Sequence, residues 1–168
     1  MPVKVVRNAV FKGLFPHQER MRGLTGLIGF YQRSGLQKVA RGTGVMKLLP
    51  ESLATMEKVL PQVPTMKEMK NRPEHLEPIG TKTHKVAFFS GCLMDTMFLE
   101  TNNATMKLLQ LAGCEIVIPK EQACCGALHG HSGEKEDAKA LARRNIKAFE
   151  DTGVDFIITN AGGCGAFL

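Results

Sequence analysis

Apolar residues in the first third of the chain recur at helical rather than strand spacing. Met21, Leu24, Ile28 and Tyr31 are separated by three, four and three positions, which puts them on one helix face. Gly23, Gly26 and Gly29 interleave with that stripe. They weaken an isolated helix, yet they let a second segment approach closely. The stretch LLPESLATMEKVLP (48–61) predicts another helix, with Pro50 and Glu51 at its start and Pro61 as its stop. From residue 61 the pattern dissolves. PQVPTMKEMKNRPEHLEPIGTKTH contains four prolines, many charges and no sustained period, and reads as a linker over residues 61–84.

Beyond residue 84 the pattern changes character. KVAFFSG (85–91) is a short apolar run that reads as a buried strand. Thr101, Ala104, Leu108 and Leu111 predict a helix closed by Gly113. CEIVIP (114–119) predicts a second strand. Ala138, Leu141, Ala142, Ile146 and Phe149 predict a second helix closed by Gly153, with Arg143, Arg144 and Lys147 on its other side. DFIITN (155–160) is the third strand, followed by AGGCG. This alternation predicts an α/β fold in which a parallel βαβαβ sheet fills residues 85–168, preceded by a helical connector over 1–60.

That topology sorts the five cysteines. Cys92 follows the first strand, the adjacent pair Cys124 and Cys125 follows the second, and Cys164 follows the third. Loops at the carboxyl ends of parallel strands meet at one crevice, so four thiols are expected there. Cys114 opens the second strand at the opposite edge and is expected to be a packed core residue. Soft thiolates select zinc or iron–sulfur clusters. Structural zinc usually takes two short Cys-x2-4-Cys knuckles, and none is present. Neighbouring thiols suit a cluster better, because each can bind a different iron. Gly91, Gly126 and Gly163 flank the cysteines and would let backbone N–H groups reach cluster sulfurs. Zinc with His129 or His131 as substitute ligands, a thiol–disulfide relay, and inert buried cysteines stay open as alternatives. Loop hydrogen bonding is the expected role of those two histidines, and His17, His75 and His84 read as surface or linker residues.

Charge and composition add limits. The 168 residues carry a net charge of +6. Residues 1–84 hold fourteen Lys/Arg against six Asp/Glu, and residues 85–168 hold eight against ten. The basic residues are scattered and only one tyrosine is present, so nucleic acid is not an expected partner. A solvated or partner-facing basic surface is the better expectation. No apolar run approaches the ~20 residues that cross a bilayer, and no signal-peptide pattern opens the chain. An odd cysteine count does not suit a disulfide framework, so a reducing, cytoplasmic setting is expected.

Cys92, thirty-one intervening residues and then Cys124-Cys125-Gly126 resemble the first part of the CCG cysteine-rich domain. That domain occurs in the heterodisulfide reductase B subunit and in iron–sulfur subunits of glycolate and lactate oxidation. GCLMD, NNATMKLLQLAGCEIVIPKEQACCGALHGHSGE, ARRNIKAFE and TNAGGCGAFL are similar to the glycolate oxidase iron–sulfur subunit. FYQRSGLQKVARGTGVMKLLPESL resembles its helical connector. The family pattern closes with Cys-x-x-Cys, and here that register falls on Ala161 and Cys164. The resemblance implies a non-catalytic electron-transfer subunit of a glycolate (2-hydroxy acid) oxidising complex. Cys92, Cys124, Cys125 and Cys164 would ligate an iron–sulfur cluster, most simply [4Fe–4S], supported by backbone at Gly91, Gly126 and Gly163. It implies FAD on partner glycolate oxidase subunits rather than on this chain, a quinone-type acceptor, and cytoplasmic placement with peripheral membrane contact. A zinc-bound or metal-free assembly module, a heterodisulfide-reductase-like subunit and a lactate-utilization subunit are the alternatives. The family's ferredoxin-like module and second CCG domain are missing from the sequence, so it reads as the middle of a longer protein, its last domain incomplete.

Overall fold

The computed structural model describes residues 2–168. Its connector is helical: α1 (Pro2–Asn8) runs into a wider π-helical segment (Ala9–Leu14), followed by α2 (Gln18–Arg33), α3 (Leu36–Gly42), a 3-10 turn (Val45–Leu48) and α4 (Glu51–Lys58). The stretch read as a linker carries two short elements, α5 (Met66–Lys70) and β1 (His75–Leu76). Thr65 and Glu68 close α5 with a reciprocal capping box, each side chain bonding the other residue's backbone N–H. Then come β2 (His84–Phe89), α6 (Leu99–Leu111), β3 (Cys114–Val117), α7 (Ala127–His131), α8 (Lys135–Glu150), β4 (Phe156–Thr159) and α9 (Gly162–Gly165).

The sheet order is β1–β3–β2–β4. β2 pairs in parallel with both β3 and β4, while β1 is an antiparallel edge strand on β3. The mixed edge was not expected, because a two-residue strand among prolines carries no readable period. Central β2 is buried on both faces. Val86 and Phe88 pack with Met106, Ile116 and Ile118 on the α6 side, whereas Ala87 and Phe89 meet Phe149 and Ala127 on the α8 side. Successive strand residues point to opposite faces, so two helical layers enclose the sheet. Burying each of these phenylalanines contributes about 1.5–3 kcal/mol.

Three helices form where expected; α2 and α6 turn a different face inward, while α8 buries Ala138, Leu141 and Phe149 as expected and differs at Ile146. In α6 the buried residues are Leu99, Asn102 and Met106, while Leu108 is 66% exposed. In α8 they are Ala138, Leu141, Asn145 and Phe149, and Ile146 is 60% exposed. In α2 Met21, Thr25 and Gly29 face inward, and Leu24 is exposed. The glycines explain α2: a Cβ on Gly26 would sit 2.5 Å from Met66 Sδ, and one on Gly29 would lie 3.3 Å from Val63. The 61–70 stretch thus lies directly against α2 through the small residues. No helix among the described residues is long and apolar enough to cross a membrane.

Candidate metal centre

Each cysteine loop leaves the carboxyl end of a parallel strand and is then tied down by a buried polar side chain. Gln122 clips β2 to β3: its Oε1 accepts from the Ser90 N–H at 2.8 Å, and its Nε2 donates to the carbonyls of Pro119 (2.9 Å) and Phe88 (3.3 Å). Asn145 of α8 holds the paired cysteines, accepting from the Ala123 N–H at 2.8 Å and donating to the Cys124 carbonyl at 3.0 Å. The Thr96 hydroxyl donates to the Cys92 carbonyl at 3.0 Å. Asn102 donates to the Ser90 carbonyl and accepts from Asn160, which links the β2 and β4 loops.

The connector grips the same loops. Asp95, 1% exposed, accepts from Gln18 (2.8 Å) and Arg22 (3.0 Å) of α2 and from Arg72 (3.2 Å). Arg72 also donates to the Ser90 hydroxyl at 2.9 Å. Farther round, His129 is fully buried between Phe11 and Phe15 and contacts the Phe11 carbonyl through Nε2 at 2.7 Å. A carbonyl only accepts, so Nε2 carries the proton, and Nδ1 is left buried without a partner. His129 therefore serves loop–connector bonding. His131 is exposed and stacks against Phe167. His17, His75 and His84 are exposed.

All five cysteines are free. Cys92, Cys124 and Cys125 are buried, and Cys164 is half-buried. The four strand-end thiols are neighbours: Cys92 packs with Cys124 in one buried cluster, Cys125 with Cys164 in another, and the adjacent pair joins the two. Cys114 stands apart, packed among Val86, Phe88 and Met106 in the α6-side core. The pKa shifts alternate along the series. Hydrogen bonds from the Cys124 thiol and then the Cys164 thiol hold Cys125 down to about 3. The same Cys124 S–H, which can serve only one neighbour at a time, also lowers Cys92. Cys124 and Cys164 are pushed up, first by their bonds to the Cys125 sulfur. Backbone helps as well: the Ala127 N–H points at Cys125 Sγ at 3.4 Å, and the Leu93 and Gly126 N–H groups favour the thiolates of Cys92 and Cys124.

Gly126 caps α7 in the left-handed region at φ 89° and Gly91 turns at φ 70°, where an L side chain is strained. Gly163 has open space at its Cβ position. Among the described residues no set of three or more His, Cys, Asp or Glu is arranged to hold a single metal ion. The donor set is instead a strip of four thiols with N–H groups directed at sulfur, which fits a group offering several metal corners. Sequence periodicity did not reveal Gln122, Asn145 or Asp95. The available signal was a polar residue at a helical spacing from buried apolar ones, as Asn145 is between Leu141 and Phe149.

Two known families match different parts of the chain. Residues 2–60 match a family described as "Glycolate oxidase iron-sulfur subunit, linker region", and residues 86–168 match one described as "Cysteine-rich domain" (CCG). A "Probable glycolate oxidase iron-sulfur subunit" of Bacillus subtilis (strain 168) is 67% identical over 165 residues, covering 98% of this chain and 37% of the relative. "Lactate utilization protein A" of Exiguobacterium sp. is 40% identical over 79 residues, covering 47% of this chain and 32% of the relative. An "Uncharacterized iron-sulfur protein" of Methanocaldococcus jannaschii is 36% identical over 91 residues, covering 54% and 19%. The chain thus spans well under half the length of these curated relatives. No solved structure matches it.

Proposed function

Because the chain belongs to the CCG cysteine-rich domain family and carries the linker region of glycolate oxidase iron–sulfur subunits ahead of that domain, we propose that it is an iron–sulfur electron-transfer subunit of a glycolate (2-hydroxy acid) oxidising complex. The observation that carries the reading is the strip of four thiols at the strand ends. Cys92, Cys124, Cys125 and Cys164 would hold a cluster, [4Fe–4S] in the simplest case, which supplies a one-electron carrier when bound. Cys125 is held down to about 3 and so is already a thiolate on loading, and Cys92 is shifted in the same direction. The N–H groups of Leu93, Gly126 and Ala127 would continue to bond sulfur and favour the reduced state. Gln122, Asn145 and Thr96 fix the loops so that the thiols need little reorganisation. Oxidation of the hydroxy acid is assigned to an FAD-containing partner subunit, with a quinone-type acceptor downstream and placement in the cytoplasm or at the inner face of the membrane.

Anaerobic reconstitution with iron and sulfide, followed by metal and acid-labile sulfide analysis, tests the reading. Iron and sulfide in equal amounts, with thiolate-to-iron charge-transfer absorption, are expected. Serine at Cys92, Cys124, Cys125 or Cys164 should each lower the iron content, and Cys114→Ser should not. Zinc at one equivalent without sulfide, or equal iron in all five variants, would overturn it.

A further inference from the structure

A polar cavity of about 440 Å³ opens where the connector, the 61–84 stretch and the CCG domain meet. Its size falls within the ~300–1,000 Å³ range of small-molecule sites. Gly91, Gln122 and Ala123 form part of its lining, each next to a cysteine loop, and cations from separate elements surround it. Arg22 comes from α2, Lys70 from α5, Arg72 from the stretch after α5, Lys120 from the turn after β3 and Arg144 from α8. Three carboxylates answer them. Asp95 is shared by Arg22 and Arg72, Glu19 bonds Arg22, and Glu74 pairs with Lys120 at 2.5 Å. Five cations against three anions leave a surplus of two positive charges.

The surplus has an address. Lys70 and Arg144 line the cavity and make no ion pair among the described residues. Arg144 spends only its Nε, on the Glu121 carbonyl at 2.8 Å, which leaves the terminal fork unused. Arginine forks match the planar oxygens of carboxylates and phosphates. We propose that this cavity is a binding site for a small oxygen-rich dianion, a dicarboxylate or a phosphate, held by Lys70 and Arg144. The site does not depend on what the thiols hold.

Isothermal titration of the full chain with inorganic phosphate and with malonate, at ionic strength held constant with chloride, tests this. One probe molecule per chain is expected, and the tighter of the two assigns the site to phosphates or to dicarboxylates. Lys70→Gln and Arg144→Gln should each weaken binding about tenfold or more, the loss of one charged hydrogen bond. Arg144→Lys, which keeps the charge without the fork, should fall between. Lys147→Gln, on α8 outside the cavity, should bind as the parent does. Unfolding midpoints in chloride matching the parent's certify that the variants are folded. Absence of saturable binding of either probe at millimolar concentration, or binding indifferent to Lys70 and Arg144, overturns the proposal.

Discussion

Replacing Asn145 by alanine isolates the device that holds the paired cysteines in place. The side chain is 2% exposed and makes two bonds to one loop, accepting from Ala123 N–H and donating to the Cys124 carbonyl. Alanine strands a buried donor and a buried acceptor at once. Each costs about 1–3 kcal/mol when left without a partner, and entry of a water into the vacated space would offset part of that. The expected loss is about 2–4 kcal/mol, a large share of a domain's ~5–15 kcal/mol. Urea unfolding of the metal-free chain should show the midpoint falling with the slope unchanged. Asn145→Asp separates the two bonds: it keeps an acceptor for Ala123 but turns an oxygen toward the Cys124 carbonyl, so it should be at least as destabilising at neutral pH. Reconstituted iron content should drop in both variants. An Asn145→Ala midpoint equal to the parent's, with full iron uptake, would show that the loop holds itself and that this reasoning is wrong.

Other consequences follow from the ion pairs. Asp95→Ala leaves Arg22 and Arg72 facing each other without their shared carboxylate. Breaking such a buried arrangement costs about 3–5 kcal/mol, and the same change should free the connector to proteolysis ahead of the CCG domain. In the connector, hydrogen bonds from Gln37 and then Arg41 hold Glu57 below the usual carboxylate range. A depressed carboxylate contributes stability that is present above its unfolded value of about 4.3 and is lost as pH falls through the lower folded value. The stability gap between the parent and Glu57→Gln, read by denaturant unfolding, should therefore be open at pH 7 and close on acidification below 4. A gap independent of pH would exclude that role.

Apolar periodicity was enough to locate β2, β3, β4, α6 and α8, because those segments are long or strongly apolar. It oriented α8 in the main but not α2 or α6. Each true buried face contains a residue that hydropathy counts against burial: Thr25 and Gly29 in α2, Asn102 in α6, Asn145 in α8. Asn102 and Asn145 are there to satisfy backbone groups of the cysteine loops, and Gly29 lets the Val63 segment come close. The polar residues that break the pattern are thus those that build the site. Parallel βαβ connection, by contrast, follows from general rules, and the expectation that thiols from three loops meet rested on that connection alone. Strand β1 and helix α7 are too short to carry a period. The cavity beside the cysteine loops depends on a junction between segments far apart in sequence, which no local pattern encodes.

The anchoring of the four thiols is unequal, and this has a measurable consequence. The loops of Cys92 and of the Cys124–Cys125 pair are each tied by side chains from other elements. The backbone of α9, which carries Cys164, has only bonds within its own turn, from the N–H groups of Cys164 and Gly165 to the Ala161 carbonyl. The bonds of Asn160 to Asn102 and Thr105 hold the chain just before it, and what pins α9 itself to the rest is Phe167. Its ring fills the notch made by two glycines of the neighbouring segment: a Cβ on Gly130 would lie 2.5 Å from Phe167 Cζ, and one on Gly126 would lie 3.4 Å from Cε1. Opening of a segment held by few long-range bonds needs less free energy than opening of a clipped loop. In the metal-free chain, residues 162–168 should therefore exchange amide hydrogens faster than residues 90–96 and 122–127. Phe167→Ala should speed exchange in 162–168 and in α7 while leaving 90–96 unchanged, and loading with iron and sulfide should slow 162–168 the most. Equal protection across the three loops, or a Phe167→Ala effect that reaches 90–96 as strongly, would mean that the thiol strip is already one rigid unit and that the notch does not govern its fourth corner.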